Sequence, residues 1–147
     1  NKIGGEKVYE YLKLGLKSPH RATIVMVMKF LPREDVKDKL LEIAAWLKQR
    51  RSIPDEKEEQ FRRSVIEILG EKGDDAILDY LTAVLEEKPF FKGEIVQTTK
   101  LSVLNAIAKI GTPRAIDFLK YISNQKNPVL ASASRELLKK KESEHNP

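Results

Sequence analysis

Residues 102–119 read SVLNAIAKIGTPRAIDFL, and residues 64–81 read SVIEILGEKGDDAILDYL. Each runs from an apolar helical stretch through a glycine-containing turn into a second apolar stretch. Each second stretch opens with Ala-Ile, at Ala76-Ile77 and at Ala115-Ile116. A helix–turn–helix unit cannot bury its apolar face alone, and stacking against a neighbouring unit supplies the missing cover. The repetition predicts an all-α protein built as a stack of helical pairs, an α-α superhelix. Such a stack is a surface for holding a partner and carries no chemistry of its own.

Apolar stripes place the remaining helices. Val36, Leu40, Ile43, Ala44 and Leu47 fall on one helical face at about 3.6 residues per turn. Phe61, Val65, Ile68 and Leu69 repeat that spacing, as do Ile77, Leu81, Val84 and Leu85. So do Leu130, Ser134, Leu137 and Leu138, with one serine in the stripe. Ser18-Pro19, Thr112-Pro113 and Asn127-Pro128 each pair a capping side chain with a proline suited to a first helical turn. Asp55 with Glu58 has capping-box spacing. Stops fall at Leu31-Pro32, Gly70, Lys88-Pro89 and Gly111. These signals predict helices near 5–17, 19–31, 34–49, 55–69, 75–87, 94–110, 113–124 and 128–141. That makes about eight helices, as three full pairs with half-repeats at each end.

The β-branched run 22–28 has strand propensity. It reads as a helix because a cap precedes it, a helix follows it and no second strand is present to pair with it. Being apolar all round, it should be buried on several sides. Leu41, Ala45, Ile66, Val103 and Ala106 lie outside the main stripes, where only a neighbouring repeat would cover them. Residues 8–13 (VYEYLK) read like residues 115–120 (AIDFLK), so the first helix corresponds to the second member of a pair. Helix 128–141 is of the first type, and 142–147 form a polar tail.

Residues 109–120 (KIGTPRAIDFLK), followed by 127–138 (NPVLASASRELL), resemble the HEAT-like repeats of the phycobilisome-lyase type. That pattern sets Gly-x-Pro-Arg-Ala in the turn and Asn/Asp-Pro at the next helix start. The likeness is good over 98–141 and fair over 55–87, where residues 73–76 (GDDA) lack the Pro-Arg. Over 19–49 only helix lengths and stripes agree. The resemblance implies a HEAT-like α-solenoid and macromolecular binding. It does not imply lyase activity, since a fold of this kind serves many functions.

At 147 residues the chain suits one domain, 1–141, with a sizeable core. Its 41% hydrophobic and 33% charged content predicts a soluble, folded and charge-rich protein. With no cysteine, disulfides, thiolate metal sites and cysteine nucleophiles are excluded. No apolar run approaches the ~20 residues a membrane span needs. No signal peptide is visible, and the expected location is cytoplasmic. The chain begins at Asn1, which reads as a fragment of a longer protein. The net charge of +5 divides into +6 over 1–52, −5 over 53–100 and +4 over 101–147. This alternation of sign disfavours a continuous polyanion track.

His20 and His145, the two histidines, lie far apart in the chain and make a poor metal pair. Asp74, Asp75 and Asp79 read as helix caps and first-turn carboxylates; a calcium loop needs more ligands at a definite spacing. The candidate partner-binding residues are Trp46, Lys48, Arg50, Arg51, Arg62 and Arg63, because tryptophan and arginine dominate binding hot spots. The competing and favoured reading has Trp46 sealing the core while the arginines neutralise the acidic run Asp55–Glu59. Phe90 and Phe91 sit in a lengthened connection, equally suited to a contact or to the core.

These readings predict a non-catalytic protein–protein interaction or scaffold module with no cofactor, metal or catalytic set. Exposed residues of the second-type helices, including Asp38, Glu42, Asp117 and Lys120, would face the partner. The alternative is a nucleic-acid-binding module using the basic end near Lys48, Arg50 and Arg51. An enzyme ranks third, since no nucleophile, base or metal set is visible.

Overall fold

The computed structural model of the chain describes residues 2–47, 55–88 and 93–145. Its helices are α1 (Lys2–Gly15), α2 (Arg21–Met28), α3 (Arg33–Leu47), α4 (Glu56–Lys72), α5 (Leu78–Leu85), α6 (Gly93–Ile110), α7 (Pro113–Ser123) and α8 (Pro128–His145). A 3₁₀ turn, Asp75–Ile77, leads into α5, and no strand occurs among the described residues. The protein is all-helical.

Local chemistry explains most of the helix starts. Asp74 and Thr112 hold the same place in the two quoted stretches, and both cap. The Asp74 carboxylate accepts from the Ala76 amide at 2.9 Å, and the Thr112 hydroxyl accepts from the Ala115 amide at 3.2 Å. Asn127 accepts from the amides of Val129 and Leu130, and Asp55 from that of Lys57. Pro113 and Pro128 are first helical residues, where a missing N–H costs nothing. Gly111 ends α6 at φ +62°, a left-handed conformation that glycine adopts without strain. The start of α2 differs from expectation. The Ser18 hydroxyl accepts from the His20 amide and closes a turn around Pro19, so the helix opens two residues after that proline.

Among helices adjacent in the chain, α1 packs on α2, α3 on α4, α5 on α6, α6 on α7 and α7 on α8, and several alternate helices also meet. α2 touches α4, α4 touches α6 and α6 touches α8, while α3 touches α5. The even-numbered helices therefore form a continuous row with odd-numbered helices packed beside it. The two quoted stretches bury matching positions: Val65, Ile66, Leu69 and Leu81 in one, Val103, Leu104, Ile107 and Leu119 in the other. Ser134, the serine in the α8 stripe, is fully buried and its hydroxyl has no hydrogen-bond partner.

α4 against α6 is the most extensive contact, and Gly70 makes it possible. A Cβ at Gly70 would lie 2.7 Å from the Ala106 Cα, a backbone atom that cannot swing aside. In an isolated helix Gly→Ala would gain about 0.5–1 kcal/mol. Here Gly70→Ala should cost about 1–3 kcal/mol, because the two helices must separate to admit the methyl group. Urea denaturation checks this through its sign, and a stabilised variant would contradict the close approach.

Further expectations need correction, among them the stop at Gly70, which lies inside α4. Leu41 and Ala45 are exposed, so no helix among the described residues covers that side of α3. Met26 is exposed although Ile24, Val25, Val27 and Met28 are buried, because nothing packs on the outer side of α2 among the described residues. α8 runs on to His145 instead of stopping at 141, extended by the Lys141–Glu144 pair at 3.7 Å. α5 ends at Leu85 and is preceded by the 3₁₀ turn, which shortens the helix expected over 75–87.

Candidate functional site

Trp46 sits in the last turn of α3, nearly buried. Phe61 of α4 meets its ring edge-on at a centroid distance of 5.0 Å, and the Arg21 guanidinium lies 5.3 Å from the ring centroid. This is the sealing position between helices. Lys48, Arg50 and Arg51 lie outside the described residues, as do Phe90 and Phe91.

Arg62, a candidate for partner binding whose favoured reading is to neutralise the acidic run 55–59, is buried against Glu59 of that run. Its side chain is 1% exposed. Nη1 donates to Glu59 at 2.8 Å and to Glu87 at 3.1 Å, and Nη2 donates to Glu87 at 2.5 Å. The Thr99 hydroxyl on α6 donates to the other Glu59 oxygen at 2.8 Å. Burial opposes the charge on Arg62, but Glu87 and Glu59 outweigh it and hold its pKa above the ordinary value. The cluster ties α4, α6 and the segment after α5 together. Arg63 is partly exposed, reaching Thr99 and, on the surface, Glu56. Both arginines thus answer carboxylates of the α4 first turns. Beside them Lys100 donates to the Glu87 carbonyl, and burial pushes its pKa down although Glu87 pulls it back.

The acidic turn Asp74-Asp75 with Asp79 is engaged from both sides. Arg33 at the start of α3 donates to Asp74 at 2.5 Å. Arg114 at the start of α7 donates to Asp79 at 2.8 Å and to the Asp75 carbonyl, and Thr112 donates to the Asp75 carboxylate. Tyr9 of α1 extends the series by donating its hydroxyl to Asp35 of α3. That hydrogen bond, then partial burial and the charge of Asp35, raise the Tyr9 pKa above its ordinary value. The contribution to stability is therefore complete below pH 10.0 and disappears as the pH rises through the higher folded-state pKa. Wild type and Tyr9→Phe should differ in Tm at about pH 8 and converge as Tyr9 ionises above 10.0. A gap that persists unchanged would mean that the hydroxyl proton is not what holds Asp35.

A groove of ≈ 760 Å³ crosses the even-numbered row. α4 lines it with Gln60, Arg63 and Glu67, α6 with Ser102 and Asn105, and α8 with Leu137 and Lys141. Lys109, Lys140 and Glu144 stand on its walls. Its charges are of both signs, with Lys109 3.8 Å from Glu71 and Lys141 paired to Glu144. Of the described residues expected to bind a partner, Trp46, Arg62 and Arg63, only Arg63 lines this groove. Asp38, Glu42, Asp117 and Lys120 are exposed on the odd-numbered helices, away from it. Sequence spacing could not reveal the groove, since its walls come from three helices whose approach is a tertiary matter.

Among the described residues, no group of three or more His, Asp or Glu is placed to hold a metal ion, and no helix is long and apolar enough to cross a membrane. No family model, curated protein or solved structure matches the chain.

Proposed function

We propose that this protein is a non-catalytic interaction module, a HEAT-like α-solenoid that holds a protein partner in the groove across α4, α6 and α8. The repeated stretches, the matched caps at Asp74 and Thr112, and the contacts between alternate helices support the solenoid reading. The groove carries the functional reading. It is concave, spans three successive helices of one row and mixes hydrogen-bonding amides and hydroxyls with both signs of charge around a leucine. A polypeptide offers both signs and an apolar side chain in return, whereas a phosphate backbone asks for uniform positive charge. The titratable clusters elsewhere have structural partners: Glu59 and Glu87 both pair with Arg62, and Asp74, Asp75 and Asp79 serve caps and arginines.

A photo-reactive side chain placed at Asn105, in the groove, tests this against one placed at Asp117 on the odd-numbered side. Irradiation in native extract should give a discrete protein adduct from position 105 alone. Nucleic-acid adducts from position 105 would favour the polyanion alternative, and equal labelling from both positions would remove the groove as the site.

A further inference from the structure

We propose that the groove across α4, α6 and α8 selects an extended segment of its protein partner, with one basic and one acidic side chain about six residues apart. The inference rests on the groove reading and adds the kind of segment that the groove takes. Six charged side chains line the groove, and four of them are already paired within the protein. Arg63 pairs with Glu56 at 3.2 Å, Lys109 with Glu71 at 3.8 Å, and Lys141 with Glu144 at 3.7 Å. The other two are Glu67 on α4 and Lys140 on α8, both exposed and without an ion pair among the described residues. Since α6 contacts both α4 and α8 and lies between them, one open anion and one open cation stand on opposite walls. A segment carrying both signs complements that pair, and a segment of one sign does not.

The lining between the two charges selects an extended backbone. Ser64 donates its hydroxyl to the Gln60 carbonyl, Ser102 to the Thr98 carbonyl, and Asn105 Nδ2 donates to the Leu101 carbonyl. These donors are spent within their own helices, while the side-chain oxygens keep lone pairs for an incoming N–H. A bound helix uses its own N–H groups internally beyond the first turn, whereas an extended chain presents them outward. A phosphate backbone brings acceptors and a single sign of charge, and so matches neither feature.

The spacing follows from the helices. Packed helices lie about 8–10 Å apart, so α4 and α8 are separated by about 16–20 Å across α6. An extended chain advances about 3.3–3.6 Å per residue and covers that distance in about five or six residues. Its side chains alternate between faces, so only an even separation points both charges into the groove. A separation of six meets both conditions, with the basic residue over Glu67 and the acidic one over Lys140. Leu137, one turn before Lys140, then meets the residue two places inward from the acidic end, where an apolar side chain fits. Either chain direction satisfies both walls.

The probes are three labelled nine-residue peptides with leucine at the sixth position and threonine at all others except the second and the eighth. One carries arginine at the second position and glutamate at the eighth, one arginine at both, and one glutamate at both. Fluorescence anisotropy with the intact chain should show the mixed peptide bound about tenfold or more tightly than either same-sign peptide. Glu67→Lys makes both walls basic and should transfer the preference to the two-glutamate peptide. Lys140→Glu makes both walls acidic and should transfer it to the two-arginine peptide. Both residues are exposed and lose no ion pair, so folding is not at stake. Asp117→Lys, on the odd-numbered side, should leave the ranking unchanged. N-methylation of the central N–H groups of the mixed peptide should weaken it about three- to tenfold, because acceptors in the groove lose their donors. Three results would each overturn the proposal: equal binding of the three peptides, a ranking unmoved in both charge variants, or full affinity of the N-methylated peptide. Any of these together with a discrete protein adduct from position 105 would remove the extended two-charge segment and keep the groove as a protein site. No adduct from position 105 and no binding of any peptide would remove both.

Discussion

Arg62→Ala is expected to cost about 3–5 kcal/mol, the largest loss from any single substitution considered. Arg62 and Glu59 are each 1% exposed, and removing the guanidinium leaves the Glu59 carboxylate buried with only the Thr99 hydroxyl to satisfy it. An unpaired buried charge is what makes breaking such a pair expensive. The pair itself need not stabilise the fold, since desolvating two charges offsets most of their attraction, and Arg62 Nε has no acceptor. Glu59→Gln with Arg62→Met should therefore recover most of the loss. In that variant the neutral amide introduced at position 59 keeps an acceptor for the Thr99 hydroxyl. Glu87, with a side chain 26% exposed, falls back on water. Urea denaturation of the single and double variants measures both numbers. A single variant within about 0.5 kcal/mol of wild type would show that water already reaches Glu59.

Leu40→Ala is expected to cost about 2–5 kcal/mol, as a large-to-small change in a close-packed core. Leu40 is 4% exposed and lies in the stripe of Val36, Ile43, Ala44 and Leu47, all buried. Glu42, two residues on and exposed, makes a surface pair with Lys39 at 2.9 Å. Glu42→Ala should stay within about 0.5 kcal/mol, the usual worth of an exposed pair on one helix. The comparison uses one helix, one denaturation method and two neighbouring positions, so propensity differences nearly cancel. Equal losses would place the buried face of α3 elsewhere.

Helix positions and caps were legible because their causes are local. An Asp74 that caps, a Gly111 at positive φ and a stripe at 36, 40, 43, 44 and 47 depend on residues within a few positions of one another. Where a signal had two local solutions, reading failed by a turn or less. Ser18 and Pro19 mark a helix start, but the serine bonds to His20 and the helix opens later. The candidate cluster near Trp46 admitted two readings for a different reason. Its tryptophan and arginines are the residue types that anchor interfaces, and they are equally the types that seal a core and neutralise carboxylates. Exposure alone distinguishes the two uses.

By itself the sequence determined an all-helical chain, the order and approximate ends of its helices, and the side chains of the central helices that are withdrawn from water. These follow from a 3.6-residue period and from hydrogen bonds spanning a turn, both properties of short segments. Only the tertiary structure decided that Arg62 is buried, because its partner Glu87 lies 25 residues away and the Thr99 that completes Glu59 lies 40 residues from it. It decided likewise which apolar residues stay exposed. Val8, Tyr11 and Phe30 have the same chemistry as residues in the core, and what separates them is whether another helix lies across them. That depends on the course of the whole chain, to which no local window has access.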